Sequence, residues 1–287
     1  MLVDLNGYSR VQTLPLIALR PAPLVVGWFN MYATTGMTCY DCLIGDRQVI
    51  PEEEEKSYCE KIVRVPGSYL TFQVAYTVPP AASPPCLTHR RFTFGCLAPR
   101  YKITCEVVAA CSRILEQAPE SSLLLKNAAL ASSAVREHVH RLFEAHGIGT
   151  GRIRLEGPAN HFQFLQAYDD LDLALDTFPY SGGATTAEAI WQGVPVVTSG
   201  GNRWASRTSA SILCAANLNQ FIGQSLDEYV IIAVRLANSP GQWKDLGELR
   251  HSMRSRLLAS QLCDTRSFAR NMERIYMELA AGRARAG

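Results

Sequence analysis

From residue 92 onward, short apolar runs alternate with amphipathic stretches, and that alternation constrains the fold more than any other feature of the sequence. Residues 92–96 read as a strand. Thr104 is placed to cap a helix whose Val107, Val108, Cys111, Ile114 and Leu115 share one face. Leu123-Leu124-Leu125 reads as a buried strand, and residues 133–146 as a helix closed by Gly147. Strands follow at 152–156 and 171–175, with a helix over 161–168 between them. A short helix over 185–192 ends at Gly193 and leads into a strand at 194–198. Helices over 206–216 and 226–237 flank a small strand at Phe221-Ile222, and residues 242–287 read as helical throughout. Strands joined through helices by a few residues imply crossover connections, so the pattern predicts an α/β fold: a doubly wound parallel sheet with helices on both faces. No 20–50-residue internal repeat interrupts it.

The first 78 residues are less regular. Leu2-Val3-Asp4-Leu5 reads as a strand followed by the turn signal Asn6-Gly7, and Leu24-Val25-Val26 as another strand after the rigid Arg20-Pro21-Ala22-Pro23. Residues 33–36 read as a loop, and the acidic run Glu52-Glu53-Glu54-Glu55 as a solvated helix start. A strand at residue 2 needs neighbours for its backbone groups, so it is either an ordinary first strand or the remainder of a larger domain. Four prolines fall within residues 79–85, a stretch that excludes helix interior or central strand and reads as a linker. The expected division is a first region over 1–78, a linker over 79–90, a Rossmann-like domain over 91–262 and a helix over 263–287.

Composition narrows the partners. Of 287 residues, 47% are hydrophobic and 19% charged, which suits a globular chain. Lysine and arginine (28) nearly balance aspartate and glutamate (26), so the net charge of +2 gives no reason to expect nucleic acid or an acidic membrane as partner. No run of about 18 apolar residues suggests a membrane span, and the first ten residues lack the layout of a signal peptide. Nine cysteines, an odd and scattered set, point to reduced thiols in a cytoplasm.

Ligands of open parallel sheets bind beyond the carboxyl ends of the strands. There, the stretch from Leu173 to Glu188 is the most informative: a buried strand ends at Asp176, a loop carries Gly182-Gly183, and a helix begins near Thr185. Glycines admit close backbone approach, and free N–H groups at a helix start favour an anion such as a diphosphate. Thr185 and Glu188 also spell T-x-x-E, a capping box that would use the same donors. Both readings stand on the residues alone. Glu188 has a second possible use, accepting two ribose hydroxyls. Lys102 lies on the ligand side, after the strand over 92–96. The glycine fingerprints of dinucleotide enzymes and nucleotide hydrolases are missing. Cys39 and Cys42 have C-x-x-C spacing without a second pair, and Asp170 and Asp172 precede a strand, where loop acids are commoner than metal ligands.

The run from Leu175 to Thr198, with Asp176-Thr177-Phe178-Pro179-Tyr180-Ser181-Gly182-Gly183-Ala184-Thr185-Thr186-Ala187-Glu188 at its heart, resembles the signature of the O-GlcNAc transferase/Spindly family, glycosyltransferase family 41. Leu5-Asn6-Gly7, Ala18-Leu19-Arg20-Pro21-Ala22-Pro23, Tyr101-Lys102-Ile103-Thr104 and Ala205-Ser206-Arg207 with Ser211-Ile212-Leu213 resemble further blocks in the family's order. The resemblance implies a GT-B architecture of two Rossmann-like domains, with only the later part of the first one covered. It implies inverting, metal-independent transfer of N-acetylglucosamine from UDP-GlcNAc to Ser or Thr hydroxyls of an acceptor protein, with no cofactor beyond the donor itself. Spindly-like members imply an alternative donor, GDP-fucose, and a chain that holds only the nucleotide-sugar module implies binding without transfer.

By the same resemblance, Lys102, beside Tyr101, contacts the diphosphate and stabilises the leaving group. Gly182, Gly183, Ala184, Thr185 and Thr186 surround the phosphates, Glu188 meets the ribose, His161 lies beside the uridine, and Gly157-Pro158 lies near the base. The family's proposed base histidine and its tetratricopeptide repeats fall upstream of the residue matching Leu2, so the catalytic base is unassigned. Three departures stand out: Ala184 replaces a hydroxyl-bearing threonine, Leu97-Ala98-Pro99 removes an amide side chain, and Phe29-Asn30-Met31-Tyr32-Ala33 replaces a loop rich in glycine and proline.

Overall fold

The computed structural model describes residues 1–286. Its strands are β1 (Leu2–Asp4), β2 (Val25–Gly27), β3 (Cys42–Gly45), β4 (Lys61–Arg64), β5 (Thr93–Cys96), β6 (Ser122–Lys126), β7 (Ile153–Glu156), β8 (Leu173–Leu175), β9 (Val196–Ser199) and β10 (Ile222–Gly223). The α-helices are α1 (Leu14–Ala18), α2 (Cys86–His89), α3 (Cys105–Gln117), α4 (Ser133–Glu144), α5 (His161–Gln166), α6 (Ala184–Trp191), α7 (Trp204–Ala215), α8 (Leu226–Ala237), α9 (Trp243–Leu258) and α10 (Thr265–Ala286). Two compact units result: among the described residues, 1–73, 202–217 and those from 258 on form one, and residues 74–201 and 218–257 the other.

In the first unit, β1, β2, β3 and β4 pair in that order, all parallel. Side chains alternate between the two faces of a strand. Val25 and Leu43 therefore join Ile17 of α1, Tyr69 and Trp204 of α7 on one face. Val26, Cys42 and Ile44 join Met272 and Ile275 of α10 on the other. Both faces are covered, as parallel sheets require. This grouping departs from the linear division, because α7, which lies within the 91–262 region in sequence, places Trp204 on the first sheet, and α10, which follows that region, places Met272 and Ile275 there. The acidic run forms a 3-10 turn over Glu52–Ser57 rather than an α-helix. Glu54 pairs with Arg207 and Glu55 with Arg64.

In the second unit the order is β10-β9-β8-β5-β6-β7, again all parallel. This is the predicted doubly wound sheet. Thr104 caps α3 by accepting the Val107 amide, and all five residues named for its inner face are buried. Gly147, at φ +75°, terminates the α4 segment in the left-handed region, where its amide bonds the Glu144 carbonyl.

Two further expectations change. The segment expected to be a linker is held within the second unit: Arg254 donates to the Pro79 carbonyl at 2.7 Å, and residues 86–89 wind into α2. Buried Asp172 fixes that turn by accepting the Cys86 amide at 2.9 Å and the Thr93 amide at 2.7 Å, so the second acid of the Asp170–Asp172 pair is structural. Asp170 pairs with Arg154. The tail is not helical throughout. It breaks between Leu258 and Thr265, where the Asp264 carboxylate accepts the Ser267 amide and starts a new helix. Gly287 lies outside the described residues. Among the described residues, no helix is long and apolar enough to cross a membrane.

Candidate functional site

The second sheet grows outward from β5 in both directions, with β6 and β7 to one side and β8, β9 and β10 to the other. Connections leaving β5 and β8 therefore diverge, and the crevice between them is the topological switch point. Lys102 follows β5, and the glycine-bearing loop over 176–183 follows β8. A small recess of about 30 Å³ at this point is lined by Ala98, Lys102, Asp176, Gly182, Thr185 and Thr186, among others.

Asp176 organises the loop. Its carboxylate accepts the Gly182 amide at 2.7 Å and the Thr198 hydroxyl at 2.7 Å, while the Tyr229 hydroxyl donates to its carbonyl at 3.0 Å. The Thr177 hydroxyl donates to the Tyr180 carbonyl at 2.8 Å, across a cis Phe178–Pro179 bond. Gly182 is needed for space, since a Cβ there would collide with the Thr186 hydroxyl.

Of the two readings left open at Thr185 and Glu188, the capping box does not form. The helix starts one residue earlier, with Gly183 as its N-cap and no side-chain cap. Thr185 is then the second helical residue, its carbonyl accepting the Tyr168 hydroxyl at 3.0 Å. The first-turn amides of Gly183, Ala184 and Thr185 have no carbonyl four residues back to bond, and such donors carry positive potential.

Lys102 supplies the charge. It is half-buried, and its ammonium donates to the Ser181 carbonyl at 2.7 Å and lies 3.7 Å from the centroid of the Tyr180 ring. Burial lowers its pKa below the ordinary 10.5, with Asp176 opposing that shift. The anchors are thus a carbonyl and an aromatic face, neither of which neutralises the ammonium.

A second cluster lies at the nucleoside end of the expected site. Asn160 and Gln163 form a capping box at the start of α5, whose first residue is His161. His161 Nε2 lies 2.8 Å from Glu188 Oε1, and the Tyr76 hydroxyl donates to the same oxygen at 3.3 Å. The Tyr76 and His161 rings meet edge to face with centroids 4.7 Å apart. Burial, then the charge of Glu188, push the Tyr76 hydroxyl up to about 12, so it remains a donor.

The structure therefore brings Lys102, Gly182, Thr185 and Thr186 to one recess and joins His161 to Glu188. Tyr101, Gly157, Pro158 and Ala184 lie outside the recess: Tyr101 is 70% exposed with its ring 6.5 Å from that of Tyr180, and Gly157 and Pro158 occupy the loop between β7 and α5. Tyr76 and Tyr180 were not read from the sequence as site residues. An aromatic in a glycine-bearing loop was the available signal for Tyr180, whereas Tyr76 belongs to no motif. Among the described residues, no group of three or more His, Cys, Asp or Glu side chains is arranged to hold a metal ion, and Cys39 and Cys42 are buried free thiols.

A doubly wound parallel sheet with a lysine and a helix start at its switch point defines an α/β protein, and its architecture is that of GT-B glycosyltransferases. The chain belongs to glycosyl transferase family 41, which matches residues 1–79 and 87–272. It is 34% identical over 281 residues to a Petunia hybrida protein named probable UDP-N-acetylglucosamine–peptide N-acetylglucosaminyltransferase SPINDLY, covering 97% of this chain and 30% of that one. It is 30% identical over 290 residues to the Arabidopsis thaliana protein named as the corresponding SEC transferase, covering 97% of this chain and 29% of that one. The chain spans about 30% of the length of the curated relatives it matches. A solved mutant of the Thermobaculum terrenum O-GlcNAc transferase superposes with a TM-score of 0.86 at 32% identity, over 99% of this chain and 53% of that one. The sucrose-phosphate synthase of Thermosynechococcus elongatus shares the fold at a TM-score of 0.56 and 16% identity, over 90% of this chain and 68% of that one.

Proposed function

We propose that this chain binds a nucleotide sugar and serves the transfer of N-acetylglucosamine from UDP-N-acetylglucosamine to Ser or Thr hydroxyls of an acceptor protein. The observation that carries the reading is Lys102 facing the loop and helix start of α6 across the switch point, in a chain of family 41. In the transfer, the acceptor oxygen bonds to the anomeric carbon as the bond to the diphosphate breaks, and the electron pair leaves with UDP. Lys102 and the amides of Gly183, Ala184 and Thr185 would meet the charge that develops there, a task they can perform without a metal. Thr185 and Thr186 would offer hydroxyls to the phosphates, and Glu188 would accept from the ribose. His161 would lie beside the base, with Tyr101, Gly157 and Pro158 at the margins. The base that deprotonates the acceptor is not assigned to this chain.

Nine free cysteines fit a reducing cytoplasm, and a near-neutral charge fits a protein rather than a nucleic acid as acceptor. The test is calorimetric titration of UDP and GDP into the chain, alongside turnover of UDP-N-acetylglucosamine on a peptide acceptor. UDP binding with turnover is the expected result. UDP binding without turnover identifies a donor-binding module, preference for GDP redirects the donor to GDP-fucose, and binding of neither nucleotide overturns the reading.

A further inference from the structure

Tyr76 touches both members of the His161–Glu188 pair. The three residues come from three separate segments: the stretch before the prolines, the start of α5 and the second turn of α6. Both donors fall on Glu188 Oε1. Among the described residues no partner of Oε2 is present, which leaves that oxygen for a ligand hydroxyl. A carboxylate fixed at one oxygen by two donors has its plane and its second oxygen oriented in advance, which lowers the ordering cost of binding. The edge-to-face contact of Tyr76 likewise limits how the half-exposed His161 ring can turn.

We propose that Tyr76 is a positioning residue of the nucleotide site: it holds His161 and Glu188 in the arrangement that receives the nucleoside, and so adds to affinity for that part of the donor. This rests on the nucleotide-binding reading above. It predicts a division of labour, with Tyr76 acting on the nucleoside and not on the diphosphate, which Lys102 and the α6 start would take.

The experiment compares the full chain with its Tyr76→Phe, Glu188→Ala and double variants. Each is titrated with UDP and with UMP, and inorganic pyrophosphate is titrated in competition with UDP. Loss of one hydrogen bond to a charged group predicts UMP and UDP affinities about three- to tenfold weaker in Tyr76→Phe, with pyrophosphate affinity unchanged. In the Glu188→Ala background the same substitution should have no further effect of that size, because the carboxylate it orients is gone. Equal weakening of pyrophosphate, full additivity in the double variant, or no change in UMP binding would each overturn the positioning role. If the unaltered chain binds neither UDP nor GDP, the nucleotide reading falls first, which separates its failure from that of Tyr76.

Discussion

The polar side chains at the strand ends of the two units are put to opposite uses. In the first unit, Asp4 accepts the Asn6 amide at 2.9 Å and the Tyr40 hydroxyl at 2.7 Å. Asp46 accepts the amides of Gln48, Val49 and Tyr69 and the hydroxyl of Ser211. Both carboxylates are buried and turned inward to close their own loops. In the second unit, Asp176 does the same work for the loop after β8, but the ammonium of the neighbouring Lys102 donates to the Ser181 carbonyl while the Asp176 charge favours its protonated form, and α6 starts without a side-chain cap. The difference teaches that a perturbed acid at a strand end is not by itself a functional sign. Burial raises the pKa of Asp46 against several hydrogen bonds, yet every bond it makes is internal to its unit.

The contrast can be broken from either side. The largest effect is expected in the first unit. Asp46→Ala orphans three amides and a hydroxyl in a buried place, and should cost about 3 kcal/mol or more in urea unfolding. A cost below about 1 kcal/mol would mean the acid is dispensable to the loop. In the second unit, Glu188→Ala should weaken UDP binding about tenfold through lost ribose hydrogen bonds, an effect on affinity with little on the melting temperature.

A pH titration sharpens the contrast further. A bound diphosphate favours the charged lysine, so affinity must fall as pH rises through the pKa of Lys102 in the free protein. Because burial sets that value below 10.5, UDP affinity should decline before an ordinary lysine would lose its proton. A decline that begins only above 10.5 would contradict the burial argument. The smallest effect is assigned to Thr185→Ala. Since Thr185 does not cap α6, the stability cost should stay within about 0.5 kcal/mol, where a lost cap would cost about 1 kcal/mol.

Much of the second unit was legible in the sequence because its signals are local. Apolar runs such as Leu123-Leu124-Leu125, the Thr104 cap and the terminating glycines mark their elements without reference to distant residues. In the first unit, β3 and β4 escaped notice. Each is four residues long, and β4 begins and ends on exposed or half-exposed Lys61 and Arg64 at a sheet edge, which blurs any periodicity. The membership of α7 and α10 in that unit is a matter of tertiary burial, which the order of elements does not reveal. At the site, the glycine-bearing stretch was visible but its cap was not, because T-x-x-E shifts its meaning when the helix starts one residue earlier. Tyr76 was invisible for another reason: it meets Glu188 across 112 residues of sequence, and no spacing rule spans that distance.

The central claim is that Lys102, at the switch point of the second sheet, is the cation that holds a nucleoside diphosphate. Calorimetric titration of UDP into the unaltered chain and into Lys102→Ala tests it most directly, with thermal melting as the control for folding. The account predicts binding that weakens about 10- to 100-fold on loss of the ammonium, with the melting temperature held or raised because a partly desolvated charge is removed. Equal UDP affinity in the two proteins would contradict it.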